Sequence, residues 1–122
     1  MKKLYPIFLI FSTSVIFCVV ITLFGQTARQ GFDRYHYERL LRTKRCIGCY
    51  LYHAKLSHID LTGANLEGAA LSGATFRYAT LKNANLKGAQ INGTNFSGAD
   101  LSGAIWVDGR QCAAGSIGRC KQ

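Results

Sequence analysis

Few residues of this 122-residue chain could do chemistry, and most of them are cysteine or histidine. Cys46 and Cys49 stand in Cys-Ile-Gly-Cys, His53 and His58 follow them, and Cys112 and Cys120 lie in the tail. A Cys-x-x-Cys pair runs thiol–disulfide exchange when it opens a helix, because the helix N-terminus lowers a thiol pKa. Here the pair follows a helical pattern instead of starting one. Haem attachment needs a histidine directly after the second cysteine, and Tyr50 stands there. Cys46, Cys49, His53 and His58 have the composition of a Cys₂His₂ zinc set. Asp60 and Asp100 are the carboxylates that a general acid–base pair would draw on. No serine-triad motif, phosphate loop or dinucleotide glycine fingerprint is present.

The elements that must position these residues follow a period of five. An α-helix repeats its face every ~3.6 residues and a strand every ~2, so this chain must turn a corner after each unit. One column reads Leu51, Leu56, Leu61, Leu66, Leu71, Phe76, Leu81, Leu86, Ile91, Phe96, Leu101 and Trp106, all large and apolar. Two residues earlier the column is mostly alanine, from Ala54 to Ala104, so it too faces inward where little room exists. The column between them is mostly polar, with Asp60, Asn65, Asn85, Asn95 and Asp100. The column after the leucine is polar as well, and the fifth column is glycine at seven corners from Gly63 to Gly103, where φ > 0 costs glycine nothing. His53 and His58 occupy that corner column on consecutive units, so they point outward on different faces and converge poorly on one ion. Asp60 and Asp100 fall on one face two coils apart, roughly 10 Å, and read as residues of the repeat consensus rather than a paired acid and base.

Ala64-Asn65-Leu66-Glu67-Gly68 and Ala99-Asp100-Leu101-Ser102-Gly103 carry the full unit Ala-Asp/Asn-Leu-x-Gly. Through these tandem units, residues 49–106 resemble the pentapeptide-repeat family. The resemblance implies an all-β solenoid: a right-handed quadrilateral β-helix with four pentads per coil, here about three coils. Coils of that size stack residues 20 apart, which places Phe76 against Phe96 and sets Glu67 above Lys87 as an opposite-charge rung. At a strand spacing of roughly 4.8 Å the tube is about 14 Å tall. A solenoid so short buries its apolar side only against its neighbours and leaves open strand edges, so its flanks are expected to act as caps.

Residues 33–44 read as a short capping helix. Asp33 is its N-cap, and Tyr37, Leu40 and Leu41 form its apolar face. A second reading of the same segment lays Tyr35, Tyr37 and the arginines against anionic lipid headgroups. His36 is expected at the surface. The run Leu40-Leu41-x-Thr-Lys-x-Cys-x-x-Cys resembles the segment leading into the repeats of secreted pentapeptide-repeat proteins, and residues 104–120 resemble the ending of many exported ones. After Trp106, Asp108-Gly109 signals a turn, with Val107 and Ile117 expected to cover the last coil. Cys46 with Cys49 and Cys112 with Cys120 are the disulfide candidates, two local staples that require an oxidising compartment. Other pairings of the four stay open. A Cys112–Cys120 loop is worth roughly 2.5 kcal/mol in the chain-entropy model.

The formal net charge of +9 belongs to the flanks: residues 1–28 carry +2, 29–45 carry +4, 46–106 carry +1 and the tail 107–122 carries +2. Leu4 to Phe24 is uncharged and apolar behind Lys2 and Lys3, which reads as a signal peptide or signal anchor, with Cys18 as apolar filler. Arg29, Arg34, Arg39, Arg42 and Lys44 outnumber Lys2 and Lys3, so an uncleaved anchor would by the positive-inside rule keep the repeat in the cytoplasm. The cysteine pairs argue for export to the periplasm or extracellular face, with residues 4–24 as an inner-membrane anchor if they are retained.

The expected organisation is therefore a leader at 1–28, a basic linker and capping helix at 29–45, the repeat at 46–106 and a C-terminal cap at 107–122. The expected function is a non-catalytic scaffold for a protein partner, exported or membrane-tethered, without cofactor or metal. The alternative is a periplasmic thiol-redox or metal-binding protein using Cys46 and Cys49. Some family members mimic DNA through long, strongly acidic solenoids. This repeat has three carboxylates, and its basic residues lie outside any aromatic–basic groove, so no nucleic-acid role is expected.

Overall fold

The computed structural model describes residues 32–122. These belong to the second of the chain's two units, Gly31–Gln122. The expected leader with Cys18, and residues 29–31 of the expected linker, lie outside the described residues.

Helix α1 spans Arg34–Thr43. Asp33 caps it, its Oδ1 accepting from the backbone N–H groups of Tyr35 (2.9 Å) and His36 (3.4 Å). Lys44 ends it in the left-handed region at φ 53, donating its N–H to Leu40. The buried face of α1 is Leu40, fully covered, with Tyr37 and His36 half-buried beside it. Leu41 departs from the expected face and is 41% exposed. It stands one residue, hence about 100°, past Leu40, which turns it off the coil below.

From Arg45 onward the chain forms coils. Nine parallel bridges link them, from Arg45–Asn65 to Asn85–Ile105, and every one joins residues 20 apart. The bridges are single residues, and no extended strand forms among the described residues.

Pentad 64–68 shows why the unit works. Ala64 N–H closes the preceding turn on Leu61 C=O (3.0 Å), Asn65 N–H reaches back to Lys44 C=O (2.8 Å), and Leu66 and Gly68 N–H reach forward to Asn85 (2.8 Å) and Lys87 (2.9 Å). The fifth donor, Glu67 N–H, has no coil opposite it and goes to Asn65 Oδ1 at 3.1 Å. All five backbone donors are satisfied. This explains the Asp/Asn column. Its side chains close Asx turns two residues ahead at Asp60, Asn85, Asn95 and Asp100 as well. In each Leu-x-Gly-Ala turn the glycine sits at the third position with positive φ, as a type II turn demands.

Inside the tube the large apolar column is buried from Leu51 to Leu86 and again at Phe96 and Leu101, while Ile91 and Trp106 are half-buried near the C-terminal end. The Phe76 and Phe96 rings stack at 5.3 Å, and Trp106 meets Phe96 edge-on at 5.4 Å. Such pairs contribute about 0.5–1.5 kcal/mol beyond their buried area.

Both ends are covered, by different means. At the N-terminal end α1 stands in for a missing coil. Asp33 N–H donates to Tyr50 C=O (3.1 Å), Tyr37 Oη donates to Lys55 C=O (3.2 Å), and Tyr50 N–H donates to His36 Nδ1 (3.3 Å). His36 is therefore not the surface residue expected from sequence: its ring is the acceptor for a coil-edge donor. At the C-terminal end the tail turns at Gly109 and runs back, making antiparallel bridges Ile105–Gln111 and Asp100–Ile117. Val107 packs against the core. Ile117 does not cover it, being 51% exposed, because a bridged residue occupies the outward column. Cys112 and Ser116 point in instead, and Ser116 Oγ donates to Ala113 C=O (2.7 Å) and accepts from Lys121 N–H (3.0 Å).

Candidate functional site

The four cysteines of the described residues form two local disulfides, Cys46–Cys49 with Cα atoms 5.2 Å apart and Cys112–Cys120 with Cα atoms 5.0 Å apart. Cys46 and Cys49 are fully buried in one cluster with Leu40 of α1. Thiol exchange requires a thiolate to reach a sulfur, and the first disulfide lies shut beneath the helix. Cys112 is buried and Cys120 half-buried, so the second closes the tail onto the last coil.

His53 and His58 both stand at corners with positive φ (57° and 61°). Their side chains serve the stack. The His53 ring lies over Gly73 one coil on, where a Cβ would overlap it, and the His58 ring stacks on Tyr78 at 5.2 Å. Tyr78 in turn covers Gly98, and the Arg77 guanidinium lies 5.7 Å from the Tyr78 ring centre. His53, Tyr78 and Asn83 thus each lie over a glycine one coil on, whereas His58 meets a second aromatic corner, Tyr78. No group of three His, Cys, Asp or Glu side chains able to hold a metal occurs among the described residues.

The carboxylates are structural by their surroundings. Hydrogen bonds from Thr62, with Lys44 Nζ at 3.4 Å, pull the Asp60 pKa down to about 2. Asp100 is lowered by Ser102 and then Lys82 (3.3 Å), and Asp108 by Arg110. All three are pushed away from the range of a general acid at neutral pH. Asp60 and Asp100 share one ladder with Thr80 between them. The expected Glu67–Lys87 rung does not form. Glu67 Oε2 instead accepts from Asn85 Nδ2 at 3.0 Å. Side chains after the leucine lean toward the polar column of the next coil, 18 residues on, as Lys82–Asp100 and Ser57–Thr75 also do.

These features define a repeat solenoid whose five-residue unit is closed by a corner turn and whose ends are sealed by a helix and a disulfide-bonded tail. The pentapeptide-repeat family model matches residues 45–77 and 69–105 in eight copies, half of the chain, and the chain belongs to that family. Among solved structures it is similar to HetL, a pentapeptide repeat protein involved in heterocyst differentiation regulation from the cyanobacterium Nostoc sp. strain PCC 7120. The two are 30% identical over 55% of this chain and 40% of HetL, with a TM-score of 0.29. The chain thus spans well under two thirds of HetL's length. No curated protein matches it.

Proposed function

We propose that this protein is a non-catalytic interaction scaffold, a right-handed four-sided tube of about three coils held in an oxidising compartment, exported or tethered to the membrane by residues 4–24. The observation that carries the proposal is the pair of disulfides closing both ends of the repeat. Reducing compartments keep such thiols open, and the buried first pair stabilises the cap without offering a reactive sulfur. The carboxylates are committed to turns and ion pairs, which leaves flat polar faces as the working surface, the usual use of a solenoid. The alternative, redox or metal chemistry at Cys46 and Cys49, needs accessible sulfurs, and their burial under α1 disfavours it. Thiol titration and intact-mass analysis of unreduced protein from an envelope fraction test the proposal. No reactive thiol at the four flanking cysteines supports it. A cytosolic, fully reduced repeat, or bound zinc, refutes it.

A further inference from the structure

The N-terminal end of the tube carries exposed tyrosines, with the half-buried His36 ring between Tyr35 and Tyr50. Tyr35 is 71% exposed and lies 5.7 Å from His36, His36 lies 5.8 Å from Tyr50, and Tyr50 lies 6.5 Å from Tyr52. Ile47, on the short loop between Cys46 and Cys49, is 58% exposed at the same end. A small soluble domain has no folding reason to leave these side chains in water together. α1 and the start of the first coil supply the charge: Arg34 is paired with Glu38, while Arg39 and Arg42 on α1 and Arg45 on the coil have no ion-pair partner among the described residues. The rest of the repeat is nearly neutral, with a net +1 over 46–106. Tyrosines flanked by arginines are the composition of a membrane–water interface.

The chain connectivity names the occupant. The apolar stretch Leu4–Phe24 ends ten residues before Arg34. Ten extended residues reach at most about 34 Å, so any bilayer holding that stretch keeps α1 within reach of its headgroups. We infer that the N-terminal end of the tube docks on anionic phospholipid headgroups, with Arg39, Arg42 and Arg45 meeting phosphate oxygens and Tyr35, Tyr50, Tyr52 and Ile47 entering the interface. Tyr37 is not part of this surface, because it faces the first coil and donates to Lys55 C=O. Docking through α1 and the first coil leaves the later coils and the C-terminal end free for a partner. The inference deepens the tethered form of the proposed function and rests on it for proximity to the bilayer.

The test uses the full chain on phosphatidylcholine vesicles and on vesicles that also contain phosphatidylglycerol. Flotation reads attachment, and hydrogen–deuterium exchange of residues 34–52 reads docking. Exchange there is expected to slow on the anionic vesicles only, to recover in high salt, and to lose the lipid dependence in Arg39→Gln/Arg42→Gln, at about fivefold weaker docking per arginine removed. Both side chains are exposed, and unchanged exchange at Leu66 and Gly68 shows that the variant keeps its coils. Equal exchange on both vesicles, or lipid-dependent slowing that persists in the variant, overturns the inference. A chain that floats with both vesicles but shows no lipid-dependent exchange refutes docking and leaves the tether standing. A chain that floats only with anionic vesicles, and only with Arg39 and Arg42 present, supports docking and refutes the tether.

Discussion

Replacing Gly98 with alanine separates two demands that the corner column makes at once. Gly98 has φ +70, and a Cβ there would overlap the Tyr78 ring one coil back. Gly88 has φ +68 and nothing within 4 Å of the same added atom. Gly88→Ala therefore carries only the cost of a left-handed alanine, roughly 1–2 kcal/mol. Gly98→Ala carries that cost and also drives Tyr78 aside. Moving the ring off its rotamer costs about 0.5–1.5 kcal/mol, and losing its stack on His58 costs about 0.5–1.5 kcal/mol more. The expected difference between the two variants is thus about 1–3 kcal/mol. Urea unfolding followed by circular dichroism measures it. In a Tyr78→Gly background, Gly98→Ala should cost no more than Gly88→Ala, because the overlap goes with the ring. If Gly98→Ala and Gly88→Ala unfold at the same urea concentration, the corner side chains do not stack coil on coil as described.

Three further outcomes follow from the same geometry. Phe76→Ala removes a fully buried ring and its stack on Phe96, and is expected to cost about 3–5 kcal/mol in urea unfolding. His36→Phe keeps an aromatic ring but removes the acceptor of Tyr50 N–H, which at this exposed bond costs about 0.5–1.5 kcal/mol and raises hydrogen exchange at Asp33, Tyr37 and Tyr50 ahead of the inner coils. Asp60, Asp100 and Asp108 all have folded-state pKa values below the ordinary 3.8, Asp60 at about 2. The contribution of these groups is present in full above the unfolded value and is lost as pH falls through the folded ones, so urea midpoints should drop between about pH 4 and 2. Asp60→Asn should reduce that drop, and an unchanged slope would show that the Thr62 and Lys44 contacts do not hold the carboxylate.

The repeat was legible because a five-residue period admits no helix and no plain strand, so Leu51 to Trp106 could be assigned an inward face from spacing alone. The corners were legible for the same reason, since glycine marks positive φ and the exceptions at His53, His58, Tyr78 and Asn83 keep the period. What spacing could not show was where side chains lean. Glu67 and Lys87 share a column, yet the column tilts toward its polar neighbour, so the ion pair forms at Lys82–Asp100 instead. The Asp/Asn column looked merely polar, although a count of backbone donors per pentad would have exposed the one donor with no coil to meet. The ends were hardest to read, because the period stops there. Nothing in the pattern of α1 says that His36 will accept from Tyr50 while Leu41 stays exposed. Ile117 looked like a lid because it is apolar, but pairing with Asp100 fixed it outward.

The most direct measurement of the coil itself is nuclear magnetic resonance detection of scalar couplings across hydrogen bonds, which names the carbonyl that each amide meets. Asn65 N–H should couple to Lys44 C=O, Leu66 N–H to Asn85 C=O and Gly68 N–H to Lys87 C=O, with the same offsets repeated along the chain. Couplings to carbonyls four residues back, or at offsets that change from one pentad to the next, would contradict this pairing.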